Sequence, residues 1–189
     1  VGDQISWPID MLVPGDVYVA DVFGKIVQGP VIGDNLSVAI LTNSGNGVVH
    51  DAAVRDLDGI RELEGFCSFV RGSHPSFASP TIMLAGINCP IRIGAATCMP
   101  GDVVLGRHDG VVFVPPHLAE QVVKTSEVVG LRDSFGKQRL SEAKYTPGQI
   151  DTRWTDDIER DFSAWLDEHQ DDLPVPRSAI QELLNERTW

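Results

Sequence analysis

Apolar residues along this chain fall into short Val- and Ile-rich runs cut by turn formers, until the last forty or so positions. Val17-Tyr18-Val19-Ala20 follows Pro14-Gly15-Asp16, and Val103-Val104-Leu105 follows Pro100-Gly101-Asp102. Each Pro-Gly-Asp is expected to end one element and launch a strand. The second of these strands continues through Arg107-His108-Asp109-Gly110 into Val111–Val114, and Asp-Gly between β-branched runs predicts a hairpin. Pro115-Pro116 stops it. A helix is expected from Leu118 and Ala119, burying a stripe of Leu118, Val122, Thr125 and Val129. Val48–Val54 reads as a strand passing into a helix that carries Leu57, Ile60 and Leu63, while Phe66–Val70 and Ile82–Leu84 read as further strands. Strands alternating with helices predict an α/β class, a layered mixed β-sheet with flanking helices.

The pattern changes after Tyr145-Thr146-Pro147-Gly148, where Pro and Gly punctuate the chain. The expected organisation is an α/β domain over residues 1–145 and a helical C-terminal extension over 146–189. Ile158, Phe162, Trp165 and Leu166 form one stripe behind Thr155, an N-cap residue followed by two aspartates that suit the helix dipole. Ile180, Leu183 and Leu184 form a shorter stripe after Pro176. Both helices need a surface to cover, on their own body or on a neighbouring subunit.

Charge narrows the partners. The 189 residues include 15 Lys and Arg against 27 Asp and Glu, a net charge of −12. A net −7 of this falls on residues 151–189. Such a field repels a phosphate backbone and an anionic bilayer, so neither nucleic acid nor membrane is an expected partner. The longest apolar runs fall far short of the roughly 20 residues that span a bilayer. Cys67, Cys89 and Cys98 are odd in number and lack CxxC spacing, which predicts reduced, mostly buried thiols and a cytoplasmic location. The five histidines are scattered, and nothing local marks a metal site among them. Gly45-Asn46-Gly47 precedes a strand instead of following one, so it is not a dinucleotide loop.

One constellation carries chemistry. Gly33-Asp34-Asn35-Leu36 is expected in a turn whose amides could face a ligand, and Arg55-Asp56 stands where a strand passes into a helix. The carboxyl ends of strands are where open α/β sheets place ligands. Twenty residues lie between Asp34 and Arg55, enough for one helix and one strand to return both segments to the same edge. Structural roles, a turn, a cap and an ion pair, would explain the same residues equally well on chemistry alone.

This spacing, with Gly-Val-Val-x-Asp-x-Ala-Val-Arg-Asp over residues 47–56 and Pro-Gly-Asp-Val-Val leading to Asp-Gly-Val-Val-Phe-Val-Pro, resembles the RraA-like family. That family includes class II 4-hydroxy-4-methyl-2-oxoglutarate aldolases, related oxaloacetate decarboxylases and the regulator of ribonuclease activity A. The resemblance runs from about Pro14 to Leu140 and implies a swivelling β/β/α fold. It further implies that Asp56 binds magnesium or manganese, that Arg55 contacts the bridging oxygen of pyruvate and neutralises the enolate, and that Asp34 orients a proton-donating water. The amides of Asn35 and Leu36, after Gly33, would grip the carboxylate. Asp133 would reach the metal waters of a neighbouring subunit in a homotrimer or hexamer. The expected substrate is a small 2-oxo acid with a second carboxylate. Ala52 and His50 depart from the family's usual glycine and aliphatic residue, and an N-terminal segment of the family is expected to be missing ahead of Val1.

Two rivals stand beside this reading. A Schiff-base aldolase would need a desolvated lysine, and Lys25 is the one lysine in apolar surroundings. A non-catalytic, protein-binding regulator would use the acidic surface instead. In such regulators the aspartate of the Arg-Asp pair is commonly lost, and here the pair is intact.

Overall fold

The structure, a computed structural model, describes residues 2–186. The chain divides into two compact units, residues 1–116 and 117–189.

The first unit is built on a three-stranded parallel sheet of order β1 (Tyr18–Lys25), β2 (Val48–Val54), β3 (Ser68–Ser73). Every residue of the central strand β2 is buried, as expected of a Val-rich strand covered on both faces. One face carries the short helix α1 (Trp7–Asp10), α2 (Asp34–Ser44) and α3 (Leu57–Arg61). Ile9, Ile32, Ile40, Val48, Val54 and Ile60 form the core there. On the same strand His50 is 2% exposed, edge-on to the Tyr18 ring at 4.8 Å between centroids. Asp51 is also buried, with Arg71 Nε donating to its Oδ1 at 2.5 Å and the Gly94 amide to its Oδ2. Gly94 belongs to the turn of a small hairpin, β4 (Ile91–Ile93) with β5 (Ala96–Cys98).

The expected strand starters hold. In each Pro-Gly-Asp the glycine has positive φ, +97° at Gly15 and +88° at Gly101. The aspartate carboxylate takes the amide three residues back, Val13 for Asp16 and Met99 for Asp102. The second turn launches the hairpin β6 (Val103–Arg107) and β7 (Gly110–Val114), closed by His108-Asp109. The α/β class is observed, but the strands form one parallel sheet and two separate hairpins instead of a single mixed sheet. Ile82–Leu84 is not a strand: Ile82 donates back to Ala78 in a turn and the Leu84 amide goes to Gln4. Cys67 and Cys89 are exposed and only Cys98 is buried, against the expectation of mostly buried thiols; all three are free.

The second unit holds most of α4 (Pro116–Ser141), then α5 (Pro147–Ile150), α6 (Asp156–Glu168) and α7 (Arg177–Glu186). Its core is aromatic: Phe135, Trp154, Phe162 and Trp165, joined by Ile158, Leu166 and Ile180. The α6 stripe is the one expected from sequence. The compact units part near Pro116, not at residue 145, because Leu131 and Phe135 of α4 belong to this aromatic core. Tyr145-Thr146-Pro147-Gly148 is a corner within the unit, fixed by a Thr146–Gln149 capping box. The stripe expected on α4 is also displaced. Leu118, Val122 and Val129 are exposed, whereas Val128, Leu131, Phe135, Gly136 and Arg139 are buried. Burial on this helix follows where the tail packs, not the best helical period.

Candidate functional site

Parallel strands bring their carboxyl ends to one edge, and three loops meet there: residues 26–33 after β1, Arg55-Asp56 after β2 and residues 74–80 after β3. Backbone bonds tie them together. The Arg55 amide donates to the Ile32 carbonyl, His74 to Val54, and Ala78 to Pro30. The Ser76 hydroxyl accepts from the Gln28 amide and lies 2.8 Å from His74 Nδ1.

Gly33 is the hinge of the site. A Cβ there would fall 2.2 Å from Asp56 Oδ2 and 2.9 Å from Arg55 Nε, so the missing side chain is what lets the Arg55-Asp56 pair lie against this loop. Gly59, in the first turn of α3, plays the same part for Asp34, whose carboxylate would lie 2.7 Å from a Cβ at that position. Two glycines thus seat three charged side chains. Arg55 Nε stands 3.3 Å from Asp56 Oδ2, and both side chains are about half exposed.

Of the structural roles that would compete with chemistry, the Arg55–Asp56 ion pair is made and the Asp34 carboxylate accepts a local amide, but the cap is unfilled. Asp56 occupies the N-cap position of α3, but its carboxylate makes no capping hydrogen bond. It also adopts left-handed backbone angles, φ 55° and ψ 44°, a conformation that costs a non-glycine residue about 1–2 kcal/mol. Gly33-Asp34-Asn35-Leu36 is not a free turn: Gly33 is the N-cap of α2 and the other three residues form its first turn. The first intrahelical bond there is donated by Ser37 to Gly33, leaving the Asp34–Leu36 amides at the positive end of the helix dipole. The Asn35 amide donates to Asp34 Oδ1 at 2.7 Å.

Beside the pair lies a cavity of about 170 Å³. Pro30 and Val31 from the first loop, Leu36 from α2, and Phe77 and Ser79 from the third loop wall it, with Arg55, Ile5 and Ser6 completing the lining. Sequence reasoning missed the third loop. Its signal, Pro75 and Pro80 bracketing Ser-Phe-Ala-Ser, marks an irregular segment but not its partners.

Among the expected site residues, the structure brings Gly33, Asp34, Asn35, Leu36, Arg55 and Asp56 to one edge. Asp133 lies exposed on α4 in the second unit, and its expected role concerns a neighbouring subunit's site. Lys25 ends β1 and does not line the cavity. No group of three or more His, Cys, Asp or Glu side chains that could hold a metal occurs among the described residues; of the expected site carboxylates, Asp56 is the one ion-paired with Arg55. No helix among them is long and apolar enough to cross a membrane.

Residues 4–113 match the family model described as RraA-like: Aldolase/RraA. A protein of Halalkalibacterium halodurans, named as a candidate 4-hydroxy-4-methyl-2-oxoglutarate aldolase, is 31% identical over 129 residues, 68% of this chain and 60% of that one. Protein DlpA of Legionella pneumophila is 30% identical over 70% of this chain but only 21% of its own length. The chain therefore spans less than two-thirds of either relative. Among solved structures, an uncharacterized protein of Pseudomonas syringae pv. tomato superposes with a TM-score of 0.70 at 27% identity, covering 79% of this chain and 68% of that one. Streptomyces coelicolor RraAS2, described as an unusual member of the RNase ES inhibitor RraA protein family, gives 0.60 at 30% identity over 67% and 64%. The fold, the loop pair seated on Gly33 and the match over residues 4–113 together place this chain in the RraA-like family.

Proposed function

We propose that this chain is a divalent-metal-dependent carbon–carbon lyase that cleaves a small 2-oxo acid and releases pyruvate. The observation that carries the reading is the seating of Asp34, Arg55 and Asp56 on two glycines at the carboxyl edge of the parallel sheet. Cleaving the bond from C3 to C4 of a 4-hydroxy-2-oxo acid turns the C4 hydroxyl into a carbonyl, its proton passing to the water that Asp34 would hold, and leaves an electron pair on C3 that moves onto the C2 oxygen. The Arg55 guanidinium is a fixed positive charge for that oxygen, and such preorganised charge is usually the largest single source of rate.

The fit of a hard cation rests on Asp56. Its carboxylate is half exposed, free of any capping bond and held in a strained backbone conformation. One carboxylate with several waters suits magnesium or manganese, which retain much of their hydration. Bound there, such an ion would supply Lewis-acid stabilisation of the oxyanion. The first-turn amides of α2 would hold the substrate carboxylate. The Asn35 amide donates to Asp34 in the free site, so an arriving carboxylate competes for it and releases Asp34 to hold the water that protonates C3. Asp133 from a neighbouring subunit of a trimer or hexamer completes the proposed set.

The test is pyruvate release with magnesium and either 4-hydroxy-4-methyl-2-oxoglutarate or oxaloacetate. The expected result is turnover that EDTA abolishes, that Asp56→Ala eliminates and that Arg55→Ala lowers to near background. Absence of pyruvate above the uncatalysed rate contradicts the reading for these substrates. A covalent adduct trapped by borohydride would move the chemistry to a lysine. A second reading, a non-catalytic protein-binding regulator, draws on the 30% identity to RraAS2; absence of pyruvate release by the unmodified chain would favour it, whereas unchanged release in Asp56→Ala would reassign the catalytic site.

A further inference from the structure

We propose that Ser76 and His74 are positioning residues for the Arg55–Asp56 site: together they pin a strained turn after β1 and so hold the loop that leads to Gly33. The inference rests on the 2-oxo acid reading above and assigns the side chains that keep its binding edge in place.

The turn needs a clamp. Gln28 has φ 54°, a left-handed conformation that a residue with a side chain rarely adopts, and a Cβ at Gly29 would fall 2.0 Å from the Lys25 carbonyl oxygen. Strain of this kind persists only where the surroundings over-determine it. The Ser76 hydroxyl supplies that constraint, accepting from the Gln28 amide at 2.7 Å. Thr81 Oγ1 reaches the Gln28 carbonyl only at 3.4 Å. The bonding pattern also fixes the tautomer of His74. Because the amide can only donate, the Ser76 oxygen accepts there and its own proton is free for His74 Nδ1, 2.8 Å away. The Ser76 amide donates to the same nitrogen at 3.2 Å. Nδ1 is therefore an acceptor, and the neutral ring carries its proton on Nε2. His74 is held in turn by its own amide, which donates to Val54, the last residue of β2 and the neighbour of Arg55.

The constraint reaches the charged pair through backbone bonds. Ala78 donates to Pro30 and Arg55 to Ile32, so the first loop is fastened on either side of Val31, to the third loop and to the end of β2. Gly33 follows directly, and the space it leaves is where Arg55 Nε and Asp56 Oδ2 lie. Without the Ser76 hydroxyl, Gln28 relaxes from its left-handed angles. The displacement carried along the loop to Gly33 then shifts the guanidinium from where it meets the substrate.

Oxalate binding with magnesium present, followed by calorimetry on the full chain, separates positioning from folding: stoichiometry counts the folded sites and affinity reports their geometry. Ser76→Ala is expected to bind oxalate about tenfold more weakly at unchanged stoichiometry, roughly the loss of one hydrogen bond to a charged group. Ser76→Thr, which keeps the hydroxyl, is expected to stay within about threefold of the unmodified chain. His74→Leu is expected to weaken oxalate in the same direction, and combining it with Ser76→Ala to add no further loss, because the two side chains act as one unit. Equal oxalate affinity in Ser76→Ala and the unmodified chain overturns the inference and leaves the lyase reading standing. Equal weakening in the Ala and Thr variants also overturns it, since the effect then follows packing and not the hydroxyl. An unmodified chain that binds no oxalate removes the 2-oxo acid reading together with the inference.

Discussion

Gly33 shows how one missing atom sets up a site. Its φ of −127° is ordinary, so the glycine is required by the carboxylate and guanidinium that occupy the place of a side chain, not by backbone freedom. Gly33→Ala is therefore expected to push Asp56 and Arg55 aside and to lower pyruvate release by a hundredfold or more, while thermal unfolding moves by only a few degrees. Wild-type turnover in that variant would show that the pair need not lie against this loop. His50 carries a different consequence. Both of its ring nitrogens are buried without a hydrogen-bond partner among the described residues, and burial lowers its pKa from 6.5 to about 3. A histidine held neutral in the fold contributes its full stability above pH 6.5, where the unfolded chain is neutral as well. That contribution falls as pH drops from 6.5 towards 3, because only the unfolded form takes up the proton, with a slope of up to about 1.4 kcal/mol per pH unit. His50→Val, which removes the titrating ring and keeps an apolar side chain, is expected to flatten the acid limb of a stability-versus-pH curve. An unchanged limb would mean that His50 finds a partner or a solvent path.

At the scale of elements, local signals were legible and tertiary ones were not. Each Pro-Gly-Asp turn is closed by its own residues, so it could be read without knowing what lies beyond it. The α6 stripe was equally clear, since Ile158, Phe162, Trp165 and Leu166 repeat at helical spacing and all four are buried. On α4 the same reasoning picked the wrong face, because Leu131 and Phe135 are buried by α6 and its neighbours, a partner that no periodicity within α4 reveals. Phe162 touches Phe135, Trp154 and Trp165 at ring-centroid separations of 5.3, 5.5 and 6.2 Å. Phe162→Ala should cost the second unit about 3–5 kcal/mol. Denaturant unfolding followed by tryptophan fluorescence measures it, and a loss below about 1 kcal/mol would contradict the central place given to that ring. Beneath this core Asp161 binds Arg139, Lys144 and Tyr145. Burial would raise its carboxyl, yet these hydrogen bonds outweigh burial and bring it down to about 2. The stability this network contributes is present above the ordinary carboxylate range and lost as pH falls through about 2.

The whole molecule joins an α/β unit that carries the loop pair to an acidic helical unit with its own aromatic core. Val103, Leu105 and Val112 on the β6–β7 hairpin and Leu118 and Val122 on α4 are exposed, which suits the proposed oligomer in which neighbouring subunits complete each site. The charged half of the site was legible because its residues recur at a spacing set by one helix and one strand. The cavity wall was not, because it comes from three loops and the N-terminal segment, which meet only when the parallel strands align. The central claim is that Asp56, not a cluster of ligands, is this chain's own anchor for a divalent ion facing Arg55. A crystal soaked with manganese and oxalate, with the ion located by its anomalous signal, tests it most directly. The expected result is an ion about 2.0–2.3 Å from an Asp56 oxygen, with the Arg55 guanidinium on an oxalate oxygen. Manganese bound elsewhere, or an Asp56 carboxylate with no ion beside it, would contradict the account.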